Sequence, residues 1–395
     1  MQARPEPTDP SLALVAPSRL HPLARGVAIA LTVFALGACS SDDDDDTNGG
    51  MTDGMTDGDT MGTDGSPVGD FAVVANDGSS PGSVQFYSPD LASPAMMTAM
   101  VQTGANQGIA FGPDGTLYQN SDAEGMSGLF RIADDSSTTQ IGSAPGKGLS
   151  YLDGPELLAS CDVTDETGAA SLKLFDPAAT AVDAEPVATV DLPVPCWDTF
   201  WSADDSRLYA ALIDGTLAIM DDVEIDDDDT DDDLAIDRTL TPVDADGAQL
   251  STNFHGVFVE DGTILVSDVG AVTTGANSDG LLFTFDEDGT IDGNVETTAV
   301  GGPATMLGNP VDLVLLDGAA IVAEKTNDAL LVFEGVSDLE GDVAPSYVQT
   351  FTKPESIALA PAGDGVGTDG GTDGDTDGTA DGTSDGGADD SGTDS

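Results

Sequence analysis

Six polar side chains recur at one place in the sequence, each beside the residue that opens a short apolar run: Gln107, Lys147, Asp198, His255, Asn309 and Glu355. As a set they offer an amide pair, an ammonium, two carboxylates and one imidazole, chemistry suited to binding a polar ligand. His255 is the only histidine after position 38, so any imidazole-dependent step rests on it; the commoner fate of a lone histidine is to be buried in packing. Two of the carboxylates, Glu355 and Asp198, could hold a divalent cation or act as a base. There is no Gly-Lys-Ser/Thr phosphate loop, no His-Glu-x-x-His and no Cys-x-x-Cys.

The elements that must position these residues repeat. An apolar strand, an Asp-Gly-type turn and a second apolar strand occur as NQGIAFGPDGTLY (Asn106–Tyr118), FHGVFVEDGTILVSD (Phe254–Asp268) and NPVDLVLLDGAAIVA (Asn309–Ala323). Weaker copies begin at Gly146 and Trp197. Such a unit cannot bury its apolar face alone, so copies must pack on one another. Phased on Gln107, Lys147, Asp198, His255 and Pro310, the copies stand 40, 51, 57 and 55 residues apart, the size of a four-stranded propeller blade with variable loops. In the first unit the strands are expected at Gly108–Phe111, Thr116–Asn120, Gly128–Ile132 and Thr138–Ile141. Third strands are expected again at Ser171–Phe175, Thr216–Met220, Leu281–Phe285 and Ala329–Phe333.

Near the amino end, Asp70–Asn76, Ser83–Tyr87 and Met96–Gln102 read as strands two to four of a blade without its first strand. Glu355–Ala360 supplies that strand from the other end. The expected fold is therefore all-β: a six-bladed β-propeller over residues 70–361, closed by pairing of the C-terminal strand with the N-terminal blade. Closure of this kind removes two open sheet edges.

Flanking the propeller is text with almost nothing to bury. Residues 39–69 and 362–395 are Asp-, Gly- and Thr-rich and are expected to be disordered, the first as a tether. The partial calcium-loop pattern at Asp373–Gly378 has Ser384 where a bidentate Glu is needed. Within the propeller, Asp221–Asp237 lies between the third and fourth strands of one unit; the aspartates from Asp226 to Asp233, interrupted only by Thr230, mark a solvated loop.

The chain has 73 acidic and 10 basic residues, a net charge of −63. Residues 1–38 hold two of those acids and three of those bases, so the chain from Cys39 onward carries −64. Nucleic acid is excluded as a partner, since phosphate contacts need clustered Lys and Arg. An excess this large destabilises the compact state unless salt or divalent cations such as Ca2+ screen it.

Residues 1–38 read as an export signal: Arg19 and Arg25, then the apolar run Gly26–Leu36, too short to span a bilayer. The following Leu36-Gly37-Ala38-Cys39 resembles the lipobox of bacterial lipoproteins. That resemblance implies lipidation of Cys39, a membrane partner through the anchor, and residence in the cell envelope, at the outer membrane on its periplasmic side or at the cell surface. Asp42–Asp46 resembles the surface-export signal of some such lipoproteins. The two remaining cysteines, Cys161 and Cys196, form an even pair in an oxidising compartment; one ends a second strand and the other precedes the next first strand, so a disulfide is expected.

NQGIAFGPDGTLY, the Asp-Gly turn copies and ESIALAP resemble six-bladed propellers of the NHL-repeat and gluconolactonase/regucalcin-like group. In the lactonase branch a divalent metal is held by Glu, Asn and Asp at channel-facing positions, which implies Glu355 as a ligand here. Gln107 stands where that branch has the Asn, with Asn106 adjacent, and His255-Gly256 stands where it has Asp-Gly; Asp198, Asn309 and Asp312 are the other oxygen donors. Two functions follow. One is a binding or scaffold protein taking a protein, glycan or small ligand across its channel face; the other is a metal-dependent lactonase-like hydrolase using Glu355 and Asp198.

Overall fold

A computed structural model describes residues 73–361, apart from residues 80–81, 89–90, 92–96, 102–105, 122–126, 134–136, 144–145, 163–169, 182–183, 224, 226–233, 271–277 and 287–291. The export signal, Cys39, the tether, the aspartate run from 226 to 233 and the tail from 362 lie outside the described residues.

The described chain forms six sheets, antiparallel except for one added strand, the blades of a propeller. Blade two contains Asn106–Phe111, Leu117–Ser121, Gly128–Ile132 and Thr138–Gly142. Blade three contains Gly146–Leu152, Leu157–Asp162, Ala170–Phe175 and Ala188–Leu192. Blade four begins with Cys196–Ser202, Arg207–Leu212, Leu217–Met220 and Arg238–Val243. Blade five has Phe254–Glu260, Thr263–Asp268, Leu281–Asp286 and Ala299–Gly301. Blade six has Pro310–Leu316, Ala319–Glu324, Ala329–Glu334 and Tyr347–Thr350.

Blade one is the composite expected from the two ends. Pro354–Leu359 is its innermost strand and pairs with Val73–Asp77, followed by Gly82–Tyr87 and Met97–Val101. Val73 faces Leu359, and Asn76 faces Ser356. Among the described residues the only helical element is the short 3-10 turn Val336–Asp338.

Apolar alternation along each strand sends side chains into the layers between blades, where they are removed from water. Leu172, Leu174, Leu208, Ala210, Leu212 and Met220 fill one such layer between blades three and four. Cys161 and Cys196, both fully buried in that layer, are joined by a disulfide with their Cα atoms 5.4 Å apart. The bridge spans 35 residues, so its loss in a Cys161→Ala/Cys196→Ala chain is expected to cost roughly 3–4 kcal/mol by loop entropy, read as a lower urea midpoint with a slope no smaller than that of the bridged chain.

Two features depart from the sequence reading. Blade four gains a fifth strand: Gly293–Glu296, from the loop between the outer strands of blade five, pairs in parallel with Arg238–Val243. It covers an edge that would otherwise be open. The second departure is the Asp221–Asp237 insertion, whose described ends are not simply solvated. Asp221 accepts hydrogen bonds from Arg207 Nε at 2.5 Å and Arg238 Nη2 at 2.7 Å, which hold its carboxyl below the usual range. Val223, Ile225, Leu234 and Ile236 pack against the core shared by blades three and four. Alternating apolar residues on both legs dock the base of the insertion, a signal masked in the sequence by its aspartates.

Candidate functional site

The innermost strands of the six blades stand side by side around the channel, and each breaks register with its partner at the channel mouth. The extra residue is Glu355 in blade one, Trp197 in blade four, His255 in blade five and Val311 in blade six. In blades two and three the break takes in Gln107-Gly108 and Lys147-Gly148. A bulge re-aims the side chain of the extra residue, which in blades one, four and six lines the channel mouth.

This register corrects the sequence phase in two blades. Trp197, rather than Asp198, is the equivalent of Gln107, Lys147 and His255, and Val311, rather than Asn309 or Pro310, is its counterpart in blade six. Asp198 lies one residue deeper, level with Gly108, Gly148, Gly256, Asp312 and Ser356. The phase fails there because these two blades lack the glycine that marks the register in blades two, three and five. That glycine is needed for close approach: a Cβ on Gly148 would lie 2.2 Å from the Cα of Asp198, and one on Gly108 would lie 2.2 Å from the carbonyl oxygen of Lys147.

The two tiers form a shallow cup lined by Gln107, Lys147, Trp197, Val311 and Glu355 above and by Asp198, Asp312 and Ser356 below. Its inner volume is about 10 Å3, close to the minimum that holds one water. Asn309 is not part of it. Its backbone N–H donates to Glu324, and its carbonyl accepts from the backbone of Lys325 at 3.0 Å.

Around the rim the charges are already matched within the chain. Lys147 Nζ donates to Gln107 Oε1 at 2.9 Å and sits 4.8 Å from the centre of the Trp197 ring, a cation–π contact. Lys325, from the end of the second strand of blade six, contacts both Glu355 oxygens, at 2.7 and 2.5 Å. His255 does not line the cup; its ring stacks on Trp197 with centroids 3.9 Å apart and planes 14° apart. Burial, followed by the ammonium groups of Lys147 and Lys325, lowers its pKa to about 3, so the imidazole is neutral. No hydrogen-bond partner reaches its Nδ1 among the described residues.

The floor is a pair of carboxyls. Asp198 and Asp312 are 8% and 6% exposed and both line the cup. Asp198 Oδ2 also accepts the backbone N–H of Val257 at 3.1 Å. Asp312 accepts three further donors: Ser356 Oγ at 2.6 Å, the N–H of Ile357 at 2.9 Å and that of Leu313 at 2.7 Å. Burial raises both pKa values above the ordinary carboxylate range, and for Asp198 the negative charge of Asp312 adds to the effect.

The sequence reading missed Trp197, Val311 and Ser356 as parts of this cup, and Lys325 as the partner of Glu355. Trp197 and Val311 were recoverable by counting back one residue from the position level with the repeat glycine. Lys325 and Ser356 carried no local signal. For a divalent cation the arrangement is a poor fit. Glu355 is engaged by an ammonium, Asp198 by a backbone N–H, and among the described residues no three His, Cys, Asp or Glu side chains converge on one point.

No protein-family model matches the chain, and no curated protein matches it. Solved structures similar in fold include a nidogen/laminin complex, at 10% identity and TM-score 0.48, over 74% of this chain and 98% of that one. A protein of unknown function from Bacteroides caccae is 11% identical with TM-score 0.49, over 74% of this chain and 99% of that one. A putative 6-phosphogluconolactonase from Bacteroides fragilis is 13% identical with TM-score 0.48, over 75% and 85%. The class defined by the fold is the six-bladed β-propeller.

Proposed function

We propose that the chain is a lipid-anchored binding or scaffold protein of the cell envelope that presents the channel face of its propeller to a protein, glycan or small ligand. One observation carries the binding reading: the rim groups Gln107, Lys147, Trp197 and Glu355 are held in place by partners within the chain, leaving a rigid polar rim around a cup too small for catalysis on an enclosed substrate. Rigid platforms of this kind bind by pre-organisation. The anchor rests on Leu36-Gly37-Ala38-Cys39 and the export signal before it.

Two measurements test the reading. Radiolabelled palmitate is expected to enter the full chain and not a Cys39→Ser chain; equal labelling of both removes the anchor. Elemental analysis of the purified protein is expected to find no stoichiometric divalent metal that depends on Glu355. One ion per chain, lost in Glu355→Ala, would replace the platform with the metal-dependent lactonase-like hydrolase using Glu355 and Asp198.

A further inference from the structure

We propose that blade two carries a second binding site, on the face opposite the channel mouth, which takes a small hydroxylated monocarboxylate with Arg131 as the carboxylate anchor. The site goes beyond the channel-face reading and holds whatever that face binds.

The site is a pocket of about 380 Å3, within the range of small-molecule sites, about 300–1,000 Å3, whereas the cup at the mouth has room for one water. Its wall is formed by Asp114, Gly115 and Thr116 of the first turn, by Arg131 and Ala133 at the end of the third strand, and by Thr139 of the fourth. The inner strand Asn106–Phe111 starts at the mouth and runs away from it, so its turn and the end of the third strand both lie on the far face.

The backbone fixes the shape of this wall. Gly112 N–H donates to the Thr116 carbonyl at 2.8 Å, Gly115 N–H donates to the Gly112 carbonyl at 3.0 Å, and Gly115 has φ 81°, the region that favours glycine. Asp114 Oδ1 accepts the N–H of Thr116 at 3.0 Å. Arg131 stands directly opposite Tyr118 on one side and Thr139 on the other, so the three side chains share one face of the blade. Tyr118 stacks on Tyr151 of blade three with centroids 6.1 Å apart, which anchors the inner end of that row.

Charge selects the ligand. Of the ten basic residues, three precede Cys39. Five of the remaining seven are engaged within the fold: Lys147 with Gln107, Lys173 with Asp162, Arg207 and Arg238 with Asp221, and Lys325 with Glu355. Lys353 is simply exposed. Arg131 is half-buried in the pocket wall, and among the described residues its guanidinium has no hydrogen bond or ion pair, in a chain with 73 acidic residues. A planar guanidinium with its donors free matches a carboxylate in a bidentate pair. Asp114 in the same wall repels a second negative charge but accepts from a hydroxyl, and the Thr116 and Thr139 hydroxyls donate or accept. The set therefore fits one carboxylate with several hydroxyls and disfavours a dianion. At an ionic strength of 0.15 M the net charge of the chain is screened beyond about 8 Å, so the nearby guanidinium decides.

The test is saturation-transfer NMR of the full chain in 0.15 M NaCl with glucose, glucuronate and glucarate, which carry similar hydroxyls and zero, one and two carboxylates. Transfer is expected to glucuronate and not to the other two. Arg131→Gln keeps a donor without the charge and is expected to weaken glucuronate binding at least about tenfold. Asp114→Asn keeps the acceptor for Thr116 N–H, removes the negative charge, and is expected to admit glucarate. No transfer to glucuronate in the parent, equal affinity in Arg131→Gln, or glucarate bound by the parent as tightly as glucuronate would each overturn the site. If Arg131→Gln does not fold, competition in the parent decides: an excess of acetate is expected to displace glucuronate and an excess of glucose is not. Displacement by glucose, or none by acetate, would overturn the site.

Discussion

Truncation before Lys353 is expected to abolish cooperative folding, whereas truncation before Gly363 leaves the melting transition where it was. The first removes Pro354–Leu359, the innermost strand of blade one; the second leaves every described strand pair in place. Ile357 is 4% exposed in the core shared by blades one and six, and losing such a side chain costs about 2–5 kcal/mol. Ser356 is the larger loss. Its N–H donates to Asn76 Oδ1 at 2.8 Å, its hydroxyl donates to Asp312 at 2.6 Å, and that same oxygen accepts from the N–H of Ile109 at 3.2 Å. One residue thus ties together blades six, one and two. Each buried partner left without a bond costs about 1–3 kcal/mol, so the total reaches the whole stability of a typical domain, about 5–15 kcal/mol. Urea melts of the two truncated chains check this, and equal midpoints would refute closure by that strand.

Glu324→Ala is expected to destabilise the domain by roughly 3–5 kcal/mol, far more than an exposed glutamate could. Glu324 ends the second strand of blade six and is fully buried. Its carboxylate accepts the N–H groups of Gly308 at 3.1 Å, Thr326 at 3.3 Å and Asn327 at 2.5 Å, and that of Asn309. These donors belong to the loops on either side of Lys325, so the carboxylate shapes the segment that delivers the ammonium to Glu355. Glu324→Gln keeps one acceptor and turns the other into a donor facing an N–H, so an intermediate loss is expected. Asp268 does the same work in blade five, accepting from Thr252, Asn253 and Gly270. Equal urea midpoints for wild type and Glu324→Ala would refute this role.

Much of the fold was legible because its information is local. The strands of blade two, expected from Gly108, Thr116, Gly128 and Thr138, form from Asn106, Leu117, Gly128 and Thr138. Alternating apolar residues and Asp-Gly turns act over a few positions and leave their mark in every copy. Gly293–Glu296 was not legible, because its residues alternate between exposed and half-buried and its partner strand lies in the preceding blade. The cup was only half legible. Gln107, Lys147, His255 and Glu355 fell at the right register, while Asp198 lies one position and Asn309 two positions from the bulge residues Trp197 and Val311.

By itself the sequence determined six blades, their order, closure of the ring by a strand from the far end, and a spacing that lets Cys161 meet Cys196. All of these follow from repeated short patterns and from the need of each unit to bury its apolar face on the next. Only the tertiary structure decided that Trp197 stands at the rim with His255 behind it, that Asp221 is held by two arginines, and that Asp198 and Asp312 share the floor of the cup. Charge states and contacts of this kind depend on how closely separate blades approach. That distance is set by packing across the channel, which no single repeat encodes.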